Sequence, residues 1–302
     1  MIPNLRMHPF NTTLMGVLKG VADYFGITVS DAWLFGGSGH AFLINIHEQL
    51  CPSGPYVWNR KSFNGLVKNL GIGITELGFY SAKSTPEERK KVEDILRNSI
   101  DAGSPCSLLN MENQLISGYD GTRFKVEQPW PKFDFPPKTL TFQTWEELGD
   151  EVHVDFFKFN KAEKTDDRTI ITDGLSAALD MVKDPEGWRE EHYYVGLQAY
   201  DTWIKAVGDG FGAIHGNWWN GMVWSECRRM ASTFFSEIAS KHQGKISEQA
   251  TLLSTEYRNI AELLDKAKEK KLADDEKIRA LQQAKNSEQS CIRGIEELLR
   301  II

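Results

Sequence analysis

Cys106-Ser-Leu-Leu-Asn-Met-Glu-Asn-Gln-Leu-Ile-Ser-Gly-Tyr-Asp-Gly-Thr-Arg-Phe-Lys-Val-Glu127 is the stretch whose reading decides the fold class. Its apolar density and the Asp-Gly signal in Gly118-Tyr119-Asp120-Gly121 predict two antiparallel strands, Cys106 to Ser117 and Thr122 to Glu127. Immediately upstream, Thr85-Pro86-Glu87-Glu88 is a strong helix start, with a capping threonine, proline at the first position and glutamate three beyond the cap. That helix should run to Ala102, where Gly103-Ser-Pro105 ends it. Further back, Leu14, Val17, Leu18, Val21, Ala22 and Phe25 recur at steps of three and four, which predicts a buried helix over 12–25, capped by Asn11 or Thr12. A short helix over Ser30 to Phe35, a turn at Gly36-Gly37-Ser38-Gly39 and a strand over His40 to Ile46 follow. A helix near Phe63 to Leu70, a strand near Ile74 to Phe79 and a strand over Glu151 to Phe159 complete an α+β domain spanning 1–165. Beyond the charged stretch Lys161 to Arg168 strand signals vanish, and 166–302 reads as an all-helical domain. Its most apolar stripe runs through Trp218, Trp219, Met222, Val223, Cys227 and Met230 to Ile238.

Composition narrows the function class. The 302 residues carry 35 Lys plus Arg against 42 Asp plus Glu, a formal net charge of -7, which argues against a basic nucleic-acid clamp. No stretch approaches eighteen uninterrupted apolar residues, and Met1-Ile-Pro-Asn-Leu-Arg6 lacks the pattern of a secretory signal. The expectation is a cytoplasmic protein with no membrane partner. Cys51, Cys106, Cys227 and Cys291 are scattered without a close pair and read as reduced thiols. The seven histidines show no zinc spacing, and Gly36-Gly37-Ser38-Gly39 has neither the Lys-Ser/Thr of a phosphate loop nor a dinucleotide fingerprint. No cofactor and no metal is therefore expected.

Several short motifs add a family likeness: Asn11-Thr-Thr-Leu-Met-Gly-Val-Leu18, Gly39-His-Ala-Phe42, Ser99-Ile-Asp-Ala-Gly-Ser-Pro105, Leu115-Ile-Ser-Gly-Tyr-Asp120, Gly196-Leu-Gln-Ala-Tyr-Asp-Thr-Trp203 and Glu226-Cys-Arg-Arg229. With them the chain, up to about residue 260, resembles the papain-like, bacteriocin-processing-peptidase-like proteins and the N-terminal domain of the butirosin-biosynthesis protein H family, followed by a helical domain. The resemblance implies a papain-like fold for 1–165. It also implies a nucleophilic cysteine at the N-terminus of the first helix and a histidine six residues before the hairpin Gly-Tyr. Here those places hold Asn11, Thr12 and Thr13, and Glu112, so the dyad is replaced.

Three functional readings follow. In the first, Thr12 or Thr13 works with Glu112, or a displaced thiol such as Cys51 or Cys106 works with His40 or His47, in acyl transfer or amide hydrolysis on a small acyl- or amide-containing substrate in an interdomain cleft. In the second, the cleft binds a small molecule or peptide without catalysis, with Asn11, Glu112 and Tyr119 as hydrogen-bonding groups. In the third, the cleft is filled and the protein is a scaffold. The segment around His215, Trp218 and Trp219, rich in Trp, Asn and Gly, has the character of a pocket wall, though such clusters also build cores. His40, behind three glycines, is a further substrate-facing candidate. Cys227 lies on an apolar stripe and reads as a small buried hydrophobe. The tail Leu298-Leu-Arg-Ile-Ile302 suits either a homodimer surface or a core-packed last helix.

Overall fold

The computed structural model describes residues 1–149 and 152–302. In chain order its helices are α1 (Thr13–Tyr24), α2 (Asp31–Gly37), α3 (Lys61–Asn69), α4 (Pro86–Asp101), α5 (Asp167–Lys183), α6 (Leu197–Gly208), α7 (His215–Lys241), α8 (Lys245–Ala267) and α9 (Asp274–Ile301). Its strands are β1 (Asn45–His47), β2 (Ile72–Ser81), β3 (Cys106–Asn110), β4 (Glu112–Tyr119), β5 (Arg123–Val126), β6 (Thr139–Thr141), β7 (His153–Lys161) and β8 (Tyr193–Val195). The protein is α+β, and its chain divides into two compact units: Met1–Val29 with Gly71–Lys164, and Ser30–Leu70 with Thr165–Ile302. The break at 164/165 falls where the charged stretch suggested. The segment 30–70, expected within the first 165 residues, instead clusters with the helical half, because α2 packs on α5 and α7 and α3 on α5.

The first unit is an antiparallel sheet in the order β2-β7-β3-β4-β5-β6, with α1 and α4 packed on it. Central β4 is buried along nearly its whole length. The expected single strand 106–117 is in fact two. Met111 turns back in the left-handed region at φ 55°, so that Asn110 pairs with Glu112 and Cys106 with Ile116. Asn110 and Asn113 flank that reversal, but its apex is a methionine, and a bulky residue at positive φ is uncommon enough to escape a pattern reading. Thr85 and Glu88 form the expected reciprocal cap on α4. α1 carries Gly16 and Gly20 where a Cβ would come within 2.4 Å of the His8 carbonyl oxygen and 2.1 Å of that of Arg6. Those two glycines let the N-terminal segment lie flat along the helix. Glu151, where this strand was expected to begin, lies outside the described residues; β7 runs from His153.

The second unit is mostly helix, with α7 against α8 and α8 against α9. One small strand pair interrupts it: β1 with β8, Ile46 opposite Tyr194. The strand expected over 40–46 shrinks to Asn45–His47, and β8 was not foreseen in a half read as all helix. Residues 38–44 instead form a buried loop, with Ala41 N donating to Phe35 O and Phe42 N to Gly39 O. Arg228 Nη1, on α7, donates to the carbonyls of Ala41 (3.0 Å) and Leu43 (2.8 Å). Apolar density there signals burial, and the extended conformation did not follow. In the C-terminal tail Leu298 is fully buried, on the core side of α9.

Candidate functional site

The helix and hairpin motifs converge in the first unit. Met111 reverses the chain, so Glu112 opens β4, and α1 packs on that strand with its first residue, Thr13, against it. Thr13 Oγ1 donates to Glu112 Oε2 at 2.8 Å and accepts from the Asn113 backbone N at 3.1 Å and Asn113 Nδ2 at 3.4 Å. A hydroxyl has one proton and two lone pairs, so all its hydrogen-bonding capacity is used within the protein. Thr13 is 0% exposed and Glu112 5%. The carboxylate also sits where the unsatisfied N–H groups and dipole of α1 favour negative charge.

The other candidates in this unit have separate roles. Thr12 is the N-cap of α1, buried, and its side chain makes no cap hydrogen bond. Asn11 precedes it, half-buried. Tyr119 lies seven residues along β4 from Glu112, roughly 23 Å at strand spacing. Its hydroxyl donates to both carboxylate oxygens of Asp101 (2.9 and 2.8 Å), tying the end of β4 to the end of α4. It does not belong with Thr13 and Glu112. Cys106 is buried in β3, its Sγ 3.6 Å from the Ser104 carbonyl, and burial pushes the thiol up to about 12. It is a core residue.

In the second unit, Cys51 and His47 do not form a dyad. Residues 48–54 are turns, so a spacing of four does not bring the side chains onto one helical face. His47 Nδ1 accepts from Gln49 N, its ring packs edge-on to Tyr193, and burial lowers its pKa. Among the described residues no hydrogen bond reaches the half-buried Cys51 thiol, whose carbonyl accepts from Asn220 Nδ2.

His40 meets a different thiol. Its Nδ1 is 3.6 Å from Cys227 Sγ, both side chains are buried, and Phe35, Trp58, Phe63 and Trp224 surround the ring. Burial first, and the positive charge of Arg60 second, push the imidazole down to about 3. At neutral pH the ring is uncharged and cannot stabilise a thiolate. Cys227 is the buried residue its stripe suggested, and its contact with His40 was not foreseen because 187 residues separate the two.

The Trp-rich segment is largely structural. Trp219 is 7% exposed and donates from Nε1 to the Tyr56 hydroxyl at 3.0 Å. Asn217 accepts from Trp203 Nε1 and donates to the carbonyls of Gly212 and Ala267; Asn220 accepts from Trp224 Nε1 and donates to those of Cys51 and Gly216. The polar studs among the tryptophans are thus spent on internal bonds. Trp218, half-exposed, and exposed His215 face outward, with their rings 5.3 Å apart and Lys270 Nζ 5.7 Å from the Trp218 ring.

A group that sequence reasoning missed lies in the core of this unit. Arg228 Nε donates to Glu288 Oε2 at 2.8 Å, and Glu288 also accepts from the Tyr200 hydroxyl (2.8 Å) and that of Tyr257 (3.3 Å). Burial works to discharge Arg228, but the charge of Glu288 outweighs it and raises the guanidinium pKa. No motif could reveal the group, since its members come from α6, α7, α8 and α9.

An open cavity in this unit, about 510 Å³, is lined by Ser62, Asn69, Asp173, Ser176, Asp180 and Trp188 among others. Asp173 Oδ2 accepts from Asn69 Nδ2 and Asp180 Oδ2 from Trp188 Nε1, both at 2.8 Å. Among the described residues no cation pairs with either carboxylate. No cluster of three or more His, Cys, Asp or Glu side chains able to hold a metal occurs among the described residues. Compared with protein-family models and with curated proteins, the chain matches none.

Proposed function

We propose that this protein is a non-catalytic binder of small amide- or amine-bearing molecules or short peptides, built on a papain-like first unit that has lost its dyad. The observation that carries the reading is the Thr13–Glu112–Asn113 group. A hydroxyl that is 0% exposed and has every hydrogen-bonding position filled cannot approach a substrate carbonyl. Its carboxylate partner is also a weak base for an alcohol whose proton is far less acidic than a thiol's. The papain-like assignment rests on the order of α1, α4 and the antiparallel strands, and on α1 beginning against the first residue of β4. The cavity at Asp173 and Asp180 supplies what a binder needs: carboxylate and hydroxyl acceptors for ligand N–H groups, and an indole for an apolar part.

The 2.8 Å Thr13–Glu112 contact is the one feature that favours the alternative, acyl transfer or amide hydrolysis. Both readings are tested with the full chain. Ligand-observed NMR against N-acetyl amino-acid amides and linear diamines is expected to find a saturable binder that Asp180→Asn weakens by about tenfold, the value of one charge-assisted contact. A panel of acyl thioesters and anilides should be turned over no faster than in buffer. Turnover above that rate which Thr13→Val abolishes would overturn the binding reading.

A further inference from the structure

The second cavity lies wholly in the first unit, between the last turn of α4 and strands β2 and β7. It measures about 480 Å³ and is lined by Thr75, Asn98, Ser99, Ser104, Lys158 and Asn160 among others. Strand register explains how a lysine reaches it. Thr75 pairs with Lys158, Lys158 with Cys106, and Cys106 with Ile116, so these four side chains form one row across the sheet. Cys106 and Ile116 in that row are fully buried, and α4 packs its buried Val92, Leu96 and Ile100 on the same sheet. Lys158 is the charged member of a row that is otherwise apolar or hydroxylic.

We propose that this cavity binds the oxyanion of a small molecule, a phosphoryl or carboxylate group, through Lys158. No acidic side chain lines the cavity, and among the described residues no carboxylate lies within ion-pair distance of half-buried Lys158. The Asn98 amide and the Thr75 hydroxyl, on opposite walls, make no hydrogen bond among the described residues and remain available as donors. The C-terminal end of a helix would ordinarily repel an anion. Here its last carbonyls are occupied: Asn98 O accepts from Ala102 N (3.1 Å), Ser99 O from Ser104 N (2.8 Å) and Ile100 O from Gly103 N (3.0 Å). An ammonium with two neutral donors around it is the hydrogen-bond set an oxyanion requires, and an oxyanion is the chemistry the acidic cavity of the other unit would refuse. The proposal is independent of the binding function assigned to that unit.

The test is a ¹H–¹⁵N correlation spectrum of the full chain, titrated in one series with inorganic phosphate and in another with butyrate. Saturable shifts at the amides of Thr75, Asn98, Lys158 and Asn160 are expected with at least one of them. Response to phosphate alone assigns a phosphoryl ligand, and response to butyrate alone a carboxylate. Lys158→Met should weaken the interaction by about tenfold or more, and Lys158→Arg should retain it, with spectral dispersion reporting that each variant folds. The absence of saturable shifts with both probes, or shifts that persist unchanged in Lys158→Met, would overturn the proposal.

Discussion

His40 is the residue whose environment differs most from its appearance in the sequence. Three glycines precede it, which suggests freedom, yet the ring is 1% exposed, caged by aromatic side chains and neutral. Its folded pKa of about 3 lies below the ordinary 6.5, so between those values the unfolded chain binds the proton that the folded chain refuses. The stability this contributes is complete above pH 6.5 and is lost as the pH falls toward 3. Linkage puts the loss at about 2 kcal/mol by pH 5, within a total of roughly 4–5 kcal/mol. Urea unfolding at pH 7 and pH 5 should therefore show a difference that shrinks by about 2 kcal/mol in His40→Leu. Half-buried His47 acts in the same direction, which is why the comparison with the variant, and not the raw slope, isolates His40. An equal slope in both proteins would rule out the buried neutral ring.

Among the elements, the β3–β4 hairpin has the greatest consequence for the site, because its reversal at Met111 brings Glu112 to the start of α1. Met111 is 70% exposed at φ 55°, so its side chain contributes no burial to offset the left-handed backbone. An L-residue there costs about 1–2 kcal/mol, and glycine removes that while costing about 0.5–1 kcal/mol in the unfolded chain. Met111→Gly is accordingly expected to stabilise by about 0.5–1 kcal/mol, read as a raised urea midpoint with unchanged slope. A lowered midpoint would mean that the methionine side chain makes a contribution its exposure does not reveal.

At the scale of the whole molecule, the two units solve the same problem differently. The first covers an antiparallel sheet with helices. The second threads a charged pair through its core: Arg228 on α7 joins Glu288 on α9, the hydroxyls of Tyr200 and Tyr257, and the carbonyls of Ala41 and Leu43. Removing one partner leaves the other charge buried and uncompensated, a loss of about 3–5 kcal/mol. Arg228→Met is expected to show it by chemical denaturation, and Glu288→Gln to show a comparable loss. Combining Arg228→Met with Glu288→Gln should cost less than the sum of the two single changes, since no isolated charge remains. Strict additivity would show that the group is not coupled.

Periodicity and capping chemistry determined most of the elements on their own. α1, α2, α4, α5 and α7 begin within a few residues of where Thr12, Ser30, Thr85, Asp166 and the Trp-rich stripe placed them, because a cap and a 3.6-residue repeat are local properties. The α+β class was legible for the same reason. The N-cap of α9 is Ala273, and Asp274 sits in the first turn with Lys277. The pairing of Thr13 with Glu112 was an open alternative in the sequence, and only tertiary packing made it a closed hydrogen-bonded group. The buried loop at 38–44, the His40–Cys227 contact, the Arg228–Glu288 group and the partner of Lys158 across the sheet depend on residues dozens to nearly two hundred positions apart. A local pattern records whether a side chain is apolar and how often it recurs; which groups meet is fixed by long-range packing.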